Sequence, residues 1–234
     1  MTLEVSHNIK NMISLWHLYG AQSKEKLWHS VSWPHRVWHD SLEPDVTIAT
    51  LAHASLAKEQ KIVMLQEQQQ LTPAWLARYQ VDGGLQLMNI DLTTSTFSRC
   101  YKTTLMPVSS ESISQINEFS ALCSKGFGYA IDTLVLKKVA KMSSVKLMLL
   151  AVDGRSVATA LLHKTERVLG IYQIAVPAEH RGKGYATSIM LHILNYAQQK
   201  SFQYACLQAS EMGQNLYLKL GFKVCGQLMI YQPK

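Results

Sequence analysis

A chain of 234 residues with 47% hydrophobic and 17% charged side chains has the composition of a folded protein and excludes a disordered or low-complexity one. Its central apolar run, Leu147 to Val152, is far short of the ~20 residues a bilayer span needs. Met1 to His7 lacks the basic start and apolar core of a secretion signal, so a cytoplasmic protein without membrane contact is expected. The net charge of +7 sits entirely in the second half: residues 1–105 hold nine Lys/Arg against nine Asp/Glu, and residues 106–234 hold fourteen against seven. That excess suits a polyanionic ligand such as a phosphorylated cofactor, and no nucleic-acid recognition motif accompanies it. Cys100, Cys123, Cys206 and Cys225 stand far apart without metal-ligand spacing and read as small apolar side chains rather than disulfides.

Along the first half, Asn8–Tyr19 and Thr47–Ala57 have helical character, and Lys61–Leu65 reads as a strand. Between them lies the segment Trp28-His-Ser-Val-Ser-Trp33-Pro-His35-Arg-Val-Trp38-His39-Asp40. His35 and His39 have the i, i+4 spacing of a helical metal pair, but no third ligand motif appears, so no metal is expected. Closely spaced tryptophans favour packing of the first half against the second and a wall for an acceptor site. Thr72-Pro73 caps a short helix to Tyr79, and Leu85–Leu92 is a strand after Gly83-Gly84. A Thr/Ser-rich stretch, Thr93–Thr96, leads to a boundary at Leu105–Ser110, which divides the chain into 1–105 and 106–234.

The second half reads more clearly. Ser109 or Ser110 caps a helix to Ser124 with Ile113, Ile116, Phe119 and Leu122 on one face, and another helix spans Asp132–Lys141. Lys146–Val152 and Val157–Leu162 form a hairpin, because Asp153-Gly154 supplies the positive φ of a two-residue turn. Val168–Val176 is a strand stopped by Pro177, Gly184–Lys200 a helix, and Tyr204–Ala209 a strand. Ser210 caps a helix that stops at Gly221, and Leu228–Tyr231 closes the sheet. The fold class is mixed α/β. Gln86-Leu87-Met88 and Gln227-Leu228-Met229 each follow a helix and turn, the trace of a duplicated fold whose first copy has degenerated.

The run Arg181-Gly182-Lys183-Gly184-Tyr185-Ala186-Thr187 at a strand–helix junction carries the chemistry. A helix start has free N–H groups and a dipole that favours anions, glycine removes the Cβ between backbone and ligand, and Arg181 and Lys183 add positive charge. The spacing fits neither a Walker loop nor a dinucleotide fingerprint, since Thr187 stands where the latter needs its last glycine. The residues point to a pyrophosphate.

Ile174-Ala-Val176-Pro177 followed by Arg181-x-x-Gly184-x-Ala186 resembles the acyl-CoA signature of the GNAT superfamily of N-acetyltransferases. The second signature follows in order, Leu207-Gln-Ala-Ser210-Glu-Met-Gly213 and then Leu216-Tyr217-Leu-Lys-Leu-Gly221-Phe222, so the likeness covers about 109–233. The resemblance implies acetyl-CoA (or another acyl-CoA) as cofactor, with its pyrophosphate cradled by residues 181–187. It implies that Ile174 and Val176 pair with the pantetheine arm, that Tyr217 protonates the departing thiolate, and that an amine is the acceptor. Ser210 stands where many members have Asn, which leaves it a cofactor contact or a helix cap, the cap being the simpler reading. His163, Glu166, Glu211 and a water chain are all open as general base. The first half has glycine only at 20, 83 and 84, none opening a helix, and the repeat sets Leu76 opposite Tyr217, so one CoA per chain is expected.

Overall fold

The computed structural model describes residues 3–52, 56–66, 71–98 and 102–234; Cys100 and residues 53–55 of the expected second helix lie outside them. Helix α1 (Leu3–Tyr19) leads into strands β1 (Ala21–Lys24), β2 (Leu27–Ser30) and β3 (Arg36–Trp38), followed by α2 (Pro44–Leu51), β4 (Lys61–Leu65), α3 (Pro73–Arg78) and β5 (Tyr79–Asp91). After β6 (Thr104–Pro107) come α4 (Ile113–Phe127), α5 (Thr133–Ala140), β7 (Val145–Val152), β8 (Arg155–Thr165) and β9 (Val168–Ala175). A turn of 3-10 helix (Ala178–His180), α6 (Tyr185–Gln199), β10 (Tyr204–Ala209), α7 (Glu211–Lys219) and β11 (Lys223–Pro233) follow.

The strands of the described residues all join one 11-stranded sheet in the order β1-β2-β3-β4-β11-β5-β10-β9-β8-β7-β6. Read outward from the central β11–β5 pair, the two sides repeat each other. On one side β11 meets β4 antiparallel, β4 meets β3 parallel, and β3–β2–β1 run antiparallel. On the other, β5 meets β10 antiparallel, β10 meets β9 parallel, and β9–β8–β7 run antiparallel. The helices repeat too, since α2 joins β3 to β4 as α6 joins β9 to β10, and α3 and α7 precede β5 and β11. The Gln-Leu-Met likeness thus marks two strands that lie side by side, with Gln86 directly opposite Gln227. Each half gives its last strand to the other, and residues 1–105 and 106–234 share one sheet.

The sheet is covered on both faces, which explains why Leu147–Val152 reads as an unbroken apolar run. Val145, Leu147 and Leu149 point to the cluster under α1, α4 and α5, while Met148 and Leu150 point to the one under α6 and α7. A third cluster, with Trp75, Tyr79 and Tyr231, fills the first half. Asp153 (φ 49°) and Gly154 (φ 76°) make the expected tight turn between β7 and β8.

Several expectations need correction. Ser112, not Ser109 or Ser110, caps α4 by accepting from Gln115 N–H, and Ile113 is exposed while Cys123 takes the core-facing position. Gly83 and Gly84 lie inside β5, where a Cβ on Gly84 would stand 3.2 Å from the Leu228 carbonyl oxygen across the ladder. The boundary at 105–110 contains β6, an edge strand on β7. His35 and His39 flank β3 instead of sharing a helix face, so their spacing has no common direction. The tryptophans of that segment pack against α1, within their own half of the chain. Trp38 stands edge-on to Trp16 at 5.2 Å, and Trp28 edge-on to His17 at 4.4 Å.

Candidate active site

The site begins where two parallel strands part. β9 and β10 pair only at Val168–Tyr204, Leu169–Ala205 and Gly170–Cys206. Beyond Gly170, β9 stays with β8 and β10 stays with β5, so a fork opens between Ile171–Ala175 and Leu207–Ala209. A bulge shapes one arm: the β8–β9 register slips between Thr159 and Leu161, Gln173 takes φ 51°, and the Thr159 hydroxyl donates to the Gln173 carbonyl at 2.8 Å. Bulges re-aim backbone groups, and this one turns Gln173–Ile174 out of the regular ladder at the fork.

Helix α1 fills the crotch of the fork with amides. Asn8 Nδ2 lies within hydrogen-bonding distance of the Met88 and Leu207 carbonyls (3.1 and 3.2 Å) and of Asn89 Oδ1 (2.8 Å). Its Oδ1 accepts from Gln208 at 2.6 Å. Asn11 donates to the His163 carbonyl and to Thr165 Oγ1, and accepts from the Tyr172 hydroxyl at 2.6 Å. A side chain at Gly170 would collide with Asn11 and Tyr172, so the glycine is required where α1 presses closest. Both asparagines are fully buried, and each buried amide deprived of such partners would cost about 1–3 kcal/mol. The fork is therefore held open by a polar network, not by a gap in packing.

At the far end of β9 lies the glycine loop. Gly182 (φ 74°) and Gly184 (φ 78°) are left-handed, and a Cβ on either would meet no atom within 4 Å, so their outer face is open. The first bond of α6 runs from Ser188 N–H to the Gly184 carbonyl, which leaves the amides of residues 184–187 without an intrahelical acceptor. The first turn of α6 carries no acidic side chain. Arg181 anchors this loop, its Nε donating to the Val176 carbonyl (3.1 Å) and its Nη2 to the Gly126 carbonyl (2.9 Å). Its contacts in the structure are thus to the backbone, and the Val176 carbonyl is taken by them. Gly126 lets α4 approach, since a Cβ there would sit 2.7 Å from that of Ala175. Lys183 reaches the Glu179 carbonyl at 3.3 Å.

At the fork, on the α1 and α4 side, is an open cavity of about 200 Å³. Ile174, Ser210 and Tyr217 line it, so the structure brings these expected residues together. Residues 181–187 do not line it; they form the loop beyond the end of β9. Ser210 occupies the cap position of α7, but its side chain makes no capping hydrogen bond, which corrects the cap reading. Tyr217 is 9% exposed, edge-on to Phe222 at 5.9 Å, and burial pushes its pKa up to about 12. Burial likewise raises Tyr19, Tyr129 and Tyr172, so these phenols stay neutral. None of the general-base candidates lines the cavity: His163 faces Ser14 under α1, Glu166 lies in the β8–β9 turn, and Glu211 opens α7.

The rest of the wall was not anticipated from sequence, except that Trp33, Pro34 and Arg36 of the segment 28–40 do line it, in the place a wall role for that segment requires. Trp16, Tyr19, Phe127 and Tyr129 come from elements remote in the chain, and Gln173 adjoins Ile174 on β9. One signal was present: Asn8 and Asn11, three apart, interrupt the apolar face of α1, and polar side chains buried on such a face need hydrogen-bond partners in the sheet beneath it.

The sequence model of the acetyltransferase (GNAT) family matches residues 119–222. N-acetyltransferase 8F1 of Mus musculus is 34% identical over 62 residues, a stretch that covers 25% of this chain and 28% of the mouse protein. The fold extends further than the sequence match. A GCN5-related N-acetyltransferase from Kribbella flavida covers 100% of this chain and 96% of its own at TM-score 0.66 and 14% identity. An acetyltransferase structure of the GNAT family from Novosphingobium aromaticivorans covers 100% of both chains at TM-score 0.67 and 12% identity. Among the described residues no helix is long and apolar enough to cross a membrane. Residues 119–222 thus match the acetyltransferase (GNAT) family model, and they lie in a sheet that the first half completes.

Proposed function

We propose that the protein transfers an acetyl group from acetyl-CoA directly to a primary amine. The observation that carries this reading is the fork between β9 and β10, which runs from the Tyr217 cavity toward the glycine-opened start of α6. Acetyl-CoA supplies the acyl group as a thioester. The free amides of residues 184–187 and the open faces of Gly182 and Gly184 suit its pyrophosphate, with Lys183 beside them and Arg181 holding the loop. The backbone of Ile174, near the end of β9 where β10 has parted from it, suits the amide-bearing pantetheine as an added strand, with the Val176 N–H just beyond while its carbonyl stays with Arg181. At the thioester the acceptor nitrogen forms a C–N bond, the C–S bond breaks, and the proton lost by nitrogen balances the thiol released. Backbone N–H groups at the bulge stabilise charge on the carbonyl oxygen, and Tyr217 donates a hydrogen bond to the departing sulfur. Ser210, with its hydroxyl unused by the helix, is a further contact in this region.

The test is release of free thiol from acetyl-CoA across a panel of primary amines. Amine-dependent release is expected. Tight CoA binding with no release on any amine would instead make the protein a cofactor-sensing module.

The pseudo-symmetry also bears on stoichiometry. The counterpart of the glycine loop is the β3–α2 connection, His39-Asp40-Ser41-Leu42-Glu43, which has no glycine and two carboxylates. A pyrophosphate there would meet like charge. Native mass spectrometry should find one CoA per chain, and two would overturn the degenerate reading of the first half.

A further inference from the structure

Among the described residues the cavity is lined by one charged group. Among its described lining residues there is no Asp, Glu, His or Lys, and the single ion is Arg36 at the start of β3. Its guanidinium carbon lies 4.5 Å from the centroid of the Trp16 ring. Neither the His17–Asp40 nor the Lys61–Asp82 ion pair involves Arg36, and among the described residues its guanidinium has neither a carboxylate nor a side-chain hydrogen-bond acceptor. Its backbone is fixed, because Arg36 pairs with Lys61 of β4 and its N–H donates to Ser30 Oγ at 3.0 Å. Burial lowers the guanidinium pKa, yet an arginine stays charged, and the Tyr19, Tyr129 and Tyr172 phenols around it are held neutral. A half-buried cation is thus aimed into the acceptor side of the site, and among the described residues its guanidinium is partnered by π-electrons.

Resting on the acetyl-transfer reading, we infer that the acceptor is a small amino acid or amino-acid-like compound, a primary amine whose carboxylate is bound by Arg36. A guanidinium fork matches a carboxylate in plane and takes it bidentately. The aromatic walls, Trp16, Tyr19, Trp33 and Phe127, suit the carbon frame between the two ends. The charge pattern argues against polyamines and other polycations, which would bring several positive charges to a cavity whose only ion is positive. The cofactor phosphates do not need Arg36, since residues 181–187 form a separate part of the site. Acceptor selection then falls to the first half, which contributes α1, Trp33, Pro34 and Arg36, while the second half supplies the fork, the loop and Tyr217.

The experiment compares α-amino acids and ω-amino acids of increasing length with their methyl esters, by thiol release from acetyl-CoA. In parallel, the CoA-saturated protein is titrated with the same compounds, with Trp16 and Trp33 fluorescence as the readout. The free carboxylates of at least one length should be preferred over their esters by about 10- to 100-fold in kcat/KM, the range of a charge-assisted hydrogen bond. R36Q should bring that ratio close to unity with CoA affinity intact, and R36K, which keeps the charge without the fork, should fall between. Equal use of acids and esters by the wild type would overturn the inference without any variant. So would an R36Q protein that loses activity on both alike, or titrations in which no amino carboxylate binds. If carboxylates bind in an Arg36-dependent way and no thiol is released, the anion site stands and the acetyl-transfer reading fails.

Discussion

Replacing Gly184 with Trp should lower CoA affinity by about 100-fold or more while leaving the sheet folded. Gly184 caps α6 at φ 78°, and a Cβ there points into space where no protein atom lies within 4 Å. An indole therefore has room in the protein alone and blocks only what would sit against the free amides of the helix start. The left-handed backbone adds a strain of roughly 1–2 kcal/mol for any L side chain. Gly154 supplies the control for that strain: it has φ 76°, it also meets nothing within 4 Å, and it lies in the β7–β8 turn. Calorimetric titration with CoA should then give a normal constant for Gly154→Trp and a lost one for Gly184→Trp. Equal affinities in the two folded variants would remove the loop from cofactor binding.

Tyr217→Phe should reduce kcat by about 10- to 100-fold with little change in CoA affinity. The ring and its edge contact with Phe222 survive the change; only the hydroxyl is lost. Burial holds this phenol near pKa 12, whereas a thiol titrates near ~8.5, so full proton transfer to the leaving sulfur would run uphill. The group's contribution is then a hydrogen bond to developing negative charge, worth about 1.5–3 kcal/mol, which sets the size of the expected loss. The same raised pKa keeps the donor protonated through neutral and mildly alkaline pH, so it imposes no alkaline fall in kcat there. A Tyr217→Phe enzyme with unchanged kcat would reduce the residue to a packing role.

What the sequence disclosed and what it hid follow from the range of the interactions involved. The strand–Pro–glycine–helix run at 174–187 is local, and local rules of turns, caps and helix ends were enough to read it. The same holds for Asp153-Gly154 and for the strand Tyr204–Ala209, whose bounds agree with the structure. The short strands β1 to β3 escaped because their residues, polar in β1 and mixed with Trp and His in β2 and β3, have no period-two pattern; their pairing is decided by neighbours. The fork itself is non-local, since its opening depends on amides of α1 reaching strands roughly eighty to two hundred positions away. Arg36 was hidden for the same reason. It sits in the segment read as packing, and only the fold shows that its head group enters the cavity.

The exchange of β5 and β11 has a further consequence for how the chain acquires its structure. When residues 1–105 have been synthesised, β4 and β5 are both present but are not each other's neighbours; the strand that belongs between them has yet to be made. β5 must wait for β10, and β4 for β11, across sequence separations exceeding a hundred residues. Such pairings raise contact order and delay closure, and until then two strand edges with apolar faces stand open. A second nascent chain could offer the same missing strands. Intertwined dimers, each closing the other's sheet, are therefore the natural misassembly of this architecture, and refolding yield should fall as protein concentration rises.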